Sequence, residues 1–140
     1  MERKNVSITI TSIQHDIEGS RTKQHYAGFY SFLNGTHIIS YAEYDVEAPA
    51  APTAKNLLKL TGHTFLLRKS GAITTKMVFE NEKSHRDVYQ TPFGNFPMTL
   101  KTKKLQMDAS TEKITVFLNY DLHLDDRYVS NCTIEMEIIF

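Results

Sequence analysis

His85, Asp87 and Tyr89 alternate in the stretch HRDVYQTPFG, residues 85–94, so on an extended chain all three point to one side. A histidine beside a carboxylate and a phenol can serve as a general base, and the same trio can hydrogen-bond a small polar ligand. Arg68 is the second candidate, because a planar guanidinium grips a carboxylate or phosphate through two parallel hydrogen bonds. An inward arginine with no ligand needs an ion pair instead, since an unpartnered buried charge is costly, and Glu43 is placed to supply it.

Other chemistries lack their residues. Nucleophile-elbow, phosphate-loop and calcium-loop patterns are absent, and Ser70 beside Gly71 reads as a turn serine. Six histidines, at 15, 25, 37, 63, 85 and 123, stand singly with no cysteine pair beside them, so no metal and no cofactor is expected. Sixteen basic and sixteen acidic residues cancel, which gives no electrostatic reason to bind nucleic acid or an anionic membrane. The run KTKK at 101–104 reads as a solvated strand face. Cys132 is the only cysteine, so no internal disulfide can form and a cytosolic setting is expected; its place in an apolar register makes it a buried thiol with a raised pKa. No stretch approaches the roughly 18 apolar residues of a membrane helix.

The elements that must position these residues are strands. Segments of period two lie at 4–14, 22–33, 36–44, 54–60, 64–69, 72–80, 84–91, 96–108, 112–124 and 128–139, and none carries a sustained helical stripe. Only DVEAPAAPT, 45–53, has a biased loop composition, and its Pro49 and Pro52 exclude a central strand there. Asn34-Gly35 is a strong two-residue hairpin signal. It leaves two candidate inner faces, one with Tyr26, Tyr30, Ile39, Tyr41 and Glu43, the other with Phe29, Leu33 and Ile38.

A two-residue turn at Ser70-Gly71 pairs Arg68 with Ile73 and Leu66 with Thr75, which turns Arg68, Met77 and Phe79 inward and leaves Phe65, Leu67 and Val78 outside. A three-residue loop at 125–127 pairs Leu122 with Ser130, Tyr120 with Cys132 and Leu118 with Ile134, because any one-residue slip sends one strand's apolar set to water. About eight to ten strands joined mostly by short links leave long edges unless the sheet closes, so a single all-β domain over 1–140, folded as a closed antiparallel meander barrel, is expected. The strand at 84–91 is polar on both faces, which suits either the wall of a wet interior or a protected sheet edge.

Several stretches resemble the YwiB-like family of uncharacterised bacterial proteins: SYAE at 40–43, LRKSGA at 67–72, MVF at 77–79, YQTPFG at 89–94, Thr102 and YDL at 120–122, in matching order over roughly 5–138. The resemblance implies a lipocalin-like (calycin) β-barrel in a bacterial cytosol. It implies no activity.

The expected function is non-catalytic binding of a small anionic or amphipathic ligand in the barrel. Arg68, Glu43 and His85 would hold its polar group, and Tyr89, Tyr120, Met77 and Phe79 would wall its apolar part. Two alternatives stand beside it: an enzyme working with His85, Tyr89 and Arg68 in the interior, and a homodimer covering the apolar patch at Phe65, Leu67 and Val78.

Overall fold

Apolar side chains at every second position give each extended segment one dry face, and dry faces must find one another. A computed structural model, which describes residues 3–45 and 47–140, places ten strands on this pattern: β1 (Lys4–Gln14), β2 (Thr22–Leu33), β3 (Thr36–Asp45), β4 (Ala48–Thr61), β5 (Thr64–Gly71), β6 (Thr75–Glu80), β7 (Ser84–Thr91), β8 (Gly94–Ala109), β9 (Lys113–Leu124) and β10 (Arg127–Ile139). Among the described residues no helix is long and apolar enough to cross a membrane.

All neighbours are antiparallel, in the order β6-β5-β4-β3-β2-β1-β10-β9-β8-β7. The edges β6 and β7 are consecutive in sequence and face each other, so the sheet is a nearly closed meander barrel. Thr74 and Gln90 exchange backbone hydrogen bonds of 3.0 and 3.1 Å at one end of this seam, and Lys83 N–H donates to the Glu80 carbonyl over 3.1 Å at the other. From Thr74 to Glu80 the chain advances six residues, from Lys83 to Gln90 seven, so one ladder cannot run between those points. The turn beyond Glu80 is anchored elsewhere. Asn81 Nδ2 donates to the Leu105 carbonyl (2.9 Å), and its Oδ1 accepts from Leu105 N–H (2.6 Å).

Asn34 and Gly35, with φ of 51° and 77°, form the expected left-handed hairpin turn. The 125–127 loop differs in device and not in register. Asp125 and Asp126 make a two-residue turn with φ of 52° and 59°, and a bulge at Val129 then restores the pairing of Ser130 with Leu122 and of Cys132 with Tyr120.

The β5–β6 hairpin overturns the expected two-residue turn at Ser70-Gly71. Lys69 pairs with Thr75, Leu67 with Met77 and Phe65 with Phe79, so residues 70–74 form the loop. The longer loop costs little, about 0.6 kcal/mol per doubling of length. In exchange Phe65 and Leu67 go inside in place of Leu66 and Arg68, a net gain of one buried aromatic at roughly 2 kcal/mol, with the guanidinium left in water. The outward apolar patch expected at Phe65, Leu67 and Val78 is therefore absent: Phe65 is fully buried and Leu67 packs on the core.

The proline-bearing stretch is also corrected. β4 begins at Ala48, ahead of Pro49 and Pro52, with register shifts where Tyr44 meets Pro52 and Asp45 meets Ala48. β5 reaches only as far as Ala54, opposite Gly71, so residues 48–53 have a ladder partner on one side alone. That is the edge position which proline tolerates.

The Tyr-rich face of β2 and β3 is the inner one. Ile39, Leu58, Phe65, Phe79, Leu100, Leu118 and Ile138 meet in the centre, each at most 1% exposed.

Candidate functional site

Antiparallel pairing carries one row of inner side chains across four ladders: Gly28 opposite Tyr41, Tyr41 opposite Asn56, Asn56 opposite Lys69, and Lys69 opposite Thr75. The Thr74–Gln90 bridge sets Thr75 beside Tyr89 across the seam, and Tyr89 pairs with Phe96. The row lies near the end of the barrel formed by the turns after β1, β3, β5, β7 and β9. We call this end the mouth. Ile17, Tyr44, Ile73, Phe93 and Tyr128, in or next to those five turns, are exposed, Phe93 at 94%.

The polar part of the row converges on one carboxylate. Glu43 Oε2 accepts from Asn56 Nδ2 (2.9 Å) and lies 3.1 Å from Lys69 Nζ. Oε1 has only the Tyr26 hydroxyl at 3.4 Å, and that single proton is better placed on Gln24 Oε1 at 2.9 Å. Asn56 is 3% exposed, and its Oδ1 has no hydrogen-bond partner. Its orientation is not arbitrary, because turning the amide over would set an oxygen against the carboxylate. Burial pushes the Glu43 carboxyl up, but the Asn56 hydrogen bond and the hydrogen bond and charge of Lys69 outweigh it and hold the group below the ordinary carboxylate value. Tyr41 stacks on Tyr26 with centroids 4.5 Å apart; burial, then Glu43, raises the pKa of both phenols, so both stay neutral donors.

Of the residues singled out from sequence, Glu43, Met77, Phe79, His85, Tyr89 and Tyr120 are on the inner wall, and Arg68 is not. Arg68 is exposed on the outer face opposite Lys76, a consequence of the three-residue difference in β5–β6 register, an odd number that reverses the faces, and Lys69 takes the inward place and the ion pair with Glu43. Met77 and Tyr89 are half-buried against the core. Phe79 and Tyr120, with centroids 4.8 Å apart, are buried together in the core of the barrel. Burial raises the Tyr120 phenol, and the Cys132 thiol opposite it is raised chiefly by burial as well.

His85, Asp87 and Tyr89 do share the inner side of β7. No hydrogen bond joins them: Asp87 accepts from the N–H of Val88, and His85 Nε2, 3.2 Å from Glu80 Oε1 but badly aligned to it, has no hydrogen-bond partner. A catalytic relay is therefore not assembled among them. Among the described residues no three His, Cys, Asp or Glu side chains converge as metal ligands.

Sequence reasoning missed Asn56 and Lys69. The signal for Asn56 was present, since it shares a face with Leu58 and Leu60, and a polar side chain in that position must be satisfied or used. Lys69 follows Phe65 and Leu67 by the same rule, once the hairpin register is known.

A concavity of about 750 Å³ lies outside the barrel, between Arg21, Lys23, Lys104, Glu135 and Glu137. Its charges are of both signs and stand in water, where attraction is weak. The mouth row carries the buried polar cluster.

Three comparisons bear on this chain. A family model described as "Domain of unknown function (DUF1934)" matches residues 6–136. The sequence is 27% identical over 111 residues to the uncharacterized beta-barrel protein YwiB of Bacillus subtilis (strain 168), over 78% of this chain and 75% of that protein. The crystal structure of the ywiB protein from Bacillus subtilis superposes with a TM-score of 0.81 at 20% identity, covering 98% of this chain and 92% of that one, a likeness of fold.

Proposed function

From the premise that this chain belongs to the DUF1934 family, a domain of unknown function, we propose that it is a non-catalytic binding protein for a small amphipathic molecule held in the mouth of the barrel. The polar end of the ligand rests on Glu43 and Asn56. Its apolar part lies against Met77 and Tyr89 and runs out towards Ile73 and Phe93 at the rim. The buried Asn56 Oδ1 with no partner carries this reading, because such an acceptor costs about 1–3 kcal/mol and is retained where something arrives to bond it. The burial of Phe79 and Tyr120 in the barrel below supports the mouth over the barrel centre as the ligand's place. Catalysis has no support from His85, which lacks a hydrogen-bonded partner on its own strand. Anion binding through Arg68 loses its residue to the outer face.

Native mass spectrometry of the protein purified from its own host tests the reading. A retained small molecule, lost in Asn56→Leu, is the expected result. A clean apo mass, together with no thermal shift from any short-chain amphiphile, would remove it.

A further inference from the structure

The hydrogen-bond inventory of the mouth decides which polar end a ligand there can carry, an inference that rests on the proposed binding function. Asn56 Nδ2 and Lys69 Nζ each give one proton to Glu43 Oε2, and the Tyr26 hydroxyl goes to Gln24; Lys69, Asn56 and the Tyr41 hydroxyl keep further protons, but the buried atom left without a partner is an acceptor. Two acceptors remain, Asn56 Oδ1 with no partner and Glu43 Oε1 with a partner already engaged. Both belong to the same small cluster, since Asn56 bonds the Glu43 carboxylate directly.

A carboxylate or phosphate could take the free protons of Lys69 but would leave the buried Asn56 Oδ1 unpaired and set its own oxygens against Glu43 Oε1. A ketone or ether meets the same mismatch, and an alcohol brings one proton for two acceptors. An ammonium brings three protons and a charge opposite to that of Glu43, and charge-assisted hydrogen bonds are about twice as strong as neutral ones. Lys69 is the natural competitor. Its side chain is 37% exposed, so it can swing to water and leave Oε2 as a third acceptor. We infer that the ligand class is a primary amine with an apolar chain, its ammonium seated between Asn56 Oδ1 and Glu43 Oε1 in the place Lys69 now shields.

Calorimetric titration of the full chain with n-octylammonium, octanoate and octanol is the direct test. Octylammonium is expected to bind at least tenfold more tightly than either other probe, Glu43→Gln to weaken it at least tenfold, and Lys69→Met to tighten it. An anion site predicts the reverse for Lys69→Met. Octanoate or octanol binding as tightly as octylammonium, or weaker octylammonium binding to Lys69→Met, would overturn the amine assignment and leave the mouth reading standing. Binding of none of the three probes would count against both. Should Glu43→Gln fail to fold by circular dichroism, Asn56→Ser, which shortens the acceptor by one atom, serves in its place with the same expected loss.

Discussion

Asn56 and Lys69 face each other across the β4–β5 ladder, and both reach the same oxygen of Glu43, at 2.9 and 3.1 Å. Two donors on one carboxylate oxygen leave the other oxygen short of a proton. The neighbouring amide oxygen is shut away from water with nothing to accept. An arrangement built for stability alone would spread its donors more evenly.

That imbalance predicts an unusual mutational result. Asn56→Leu removes the orphaned acceptor and keeps the volume, which offsets the loss of one hydrogen bond to Glu43. Removing one partner is costly where it strands the other, but Glu43 Oε2 keeps Lys69 at 3.1 Å and is not stranded. The denaturant midpoint is expected to move by less than the equivalent of about 1 kcal/mol, while ligand retention is lost. A fall of several kcal/mol would show Asn56 to be structural.

Acid dependence isolates Glu43. Its carboxyl is held below the ordinary value of 4.5 in the folded protein, with burial opposed by the stronger effect of Asn56 and Lys69. A depressed folded pKa contributes stability that is present above the unfolded value and lost as pH falls through the folded one. Urea midpoints measured from pH 7 down to pH 3 should therefore fall less steeply below about pH 4.5 for Glu43→Gln than for the wild type. Glu80, lowered first by its hydrogen bond to Lys83, and Asp16, lowered first by the Asn131 N–H, keep a residual slope in both proteins. Identical slopes would mean that the Glu43 cluster is not formed in solution.

Arg68 and Leu67 separate the observed hairpin from the one the turn residues suggest. With 70–74 as the loop, Arg68 is in water and Leu67 packs on the core. Arg68→Ala should change stability by no more than about 0.5 kcal/mol and leave binding intact, as for a surface position. Leu67→Glu should unfold the domain or lower its midpoint sharply, because an unpaired charge would enter the interior. The opposite pair of results would restore the two-residue turn.

Much of this barrel was legible in its alternation. Strand positions, the Asn34-Gly35 turn and the pairing of Tyr120 with Cys132 follow from period two and from the cost of exposing an apolar face. The site was less legible because it hangs on one register. Ser70-Gly71 is good turn chemistry, but local turn preference weighs less than burying Phe65 opposite Phe79. A three-residue shift in pairing exchanged Arg68 for Lys69 and with it the sign of the expected ligand. Asn56 was overlooked for a different reason: a lone amide among leucines has no motif, and only its missing hydrogen bond marks it.

The seam gives a last prediction. β6 and β7 cannot share a full ladder, since the chain between their two points of contact is one residue longer on the β7 side. Asn81 compensates by bonding both backbone groups of Leu105, at 2.9 and 2.6 Å, and so ties the β6–β7 turn to β8. Asn81→Ala strands that N–H and carbonyl, at a cost of about 1–3 kcal/mol. The strain should appear locally before it appears globally: amide hydrogen exchange across Thr75–Glu80 should accelerate, while β1 and β10, paired on both sides, keep their protection. Equal acceleration throughout the barrel would mean that closure at this seam is needed for the whole sheet and not only for its edge.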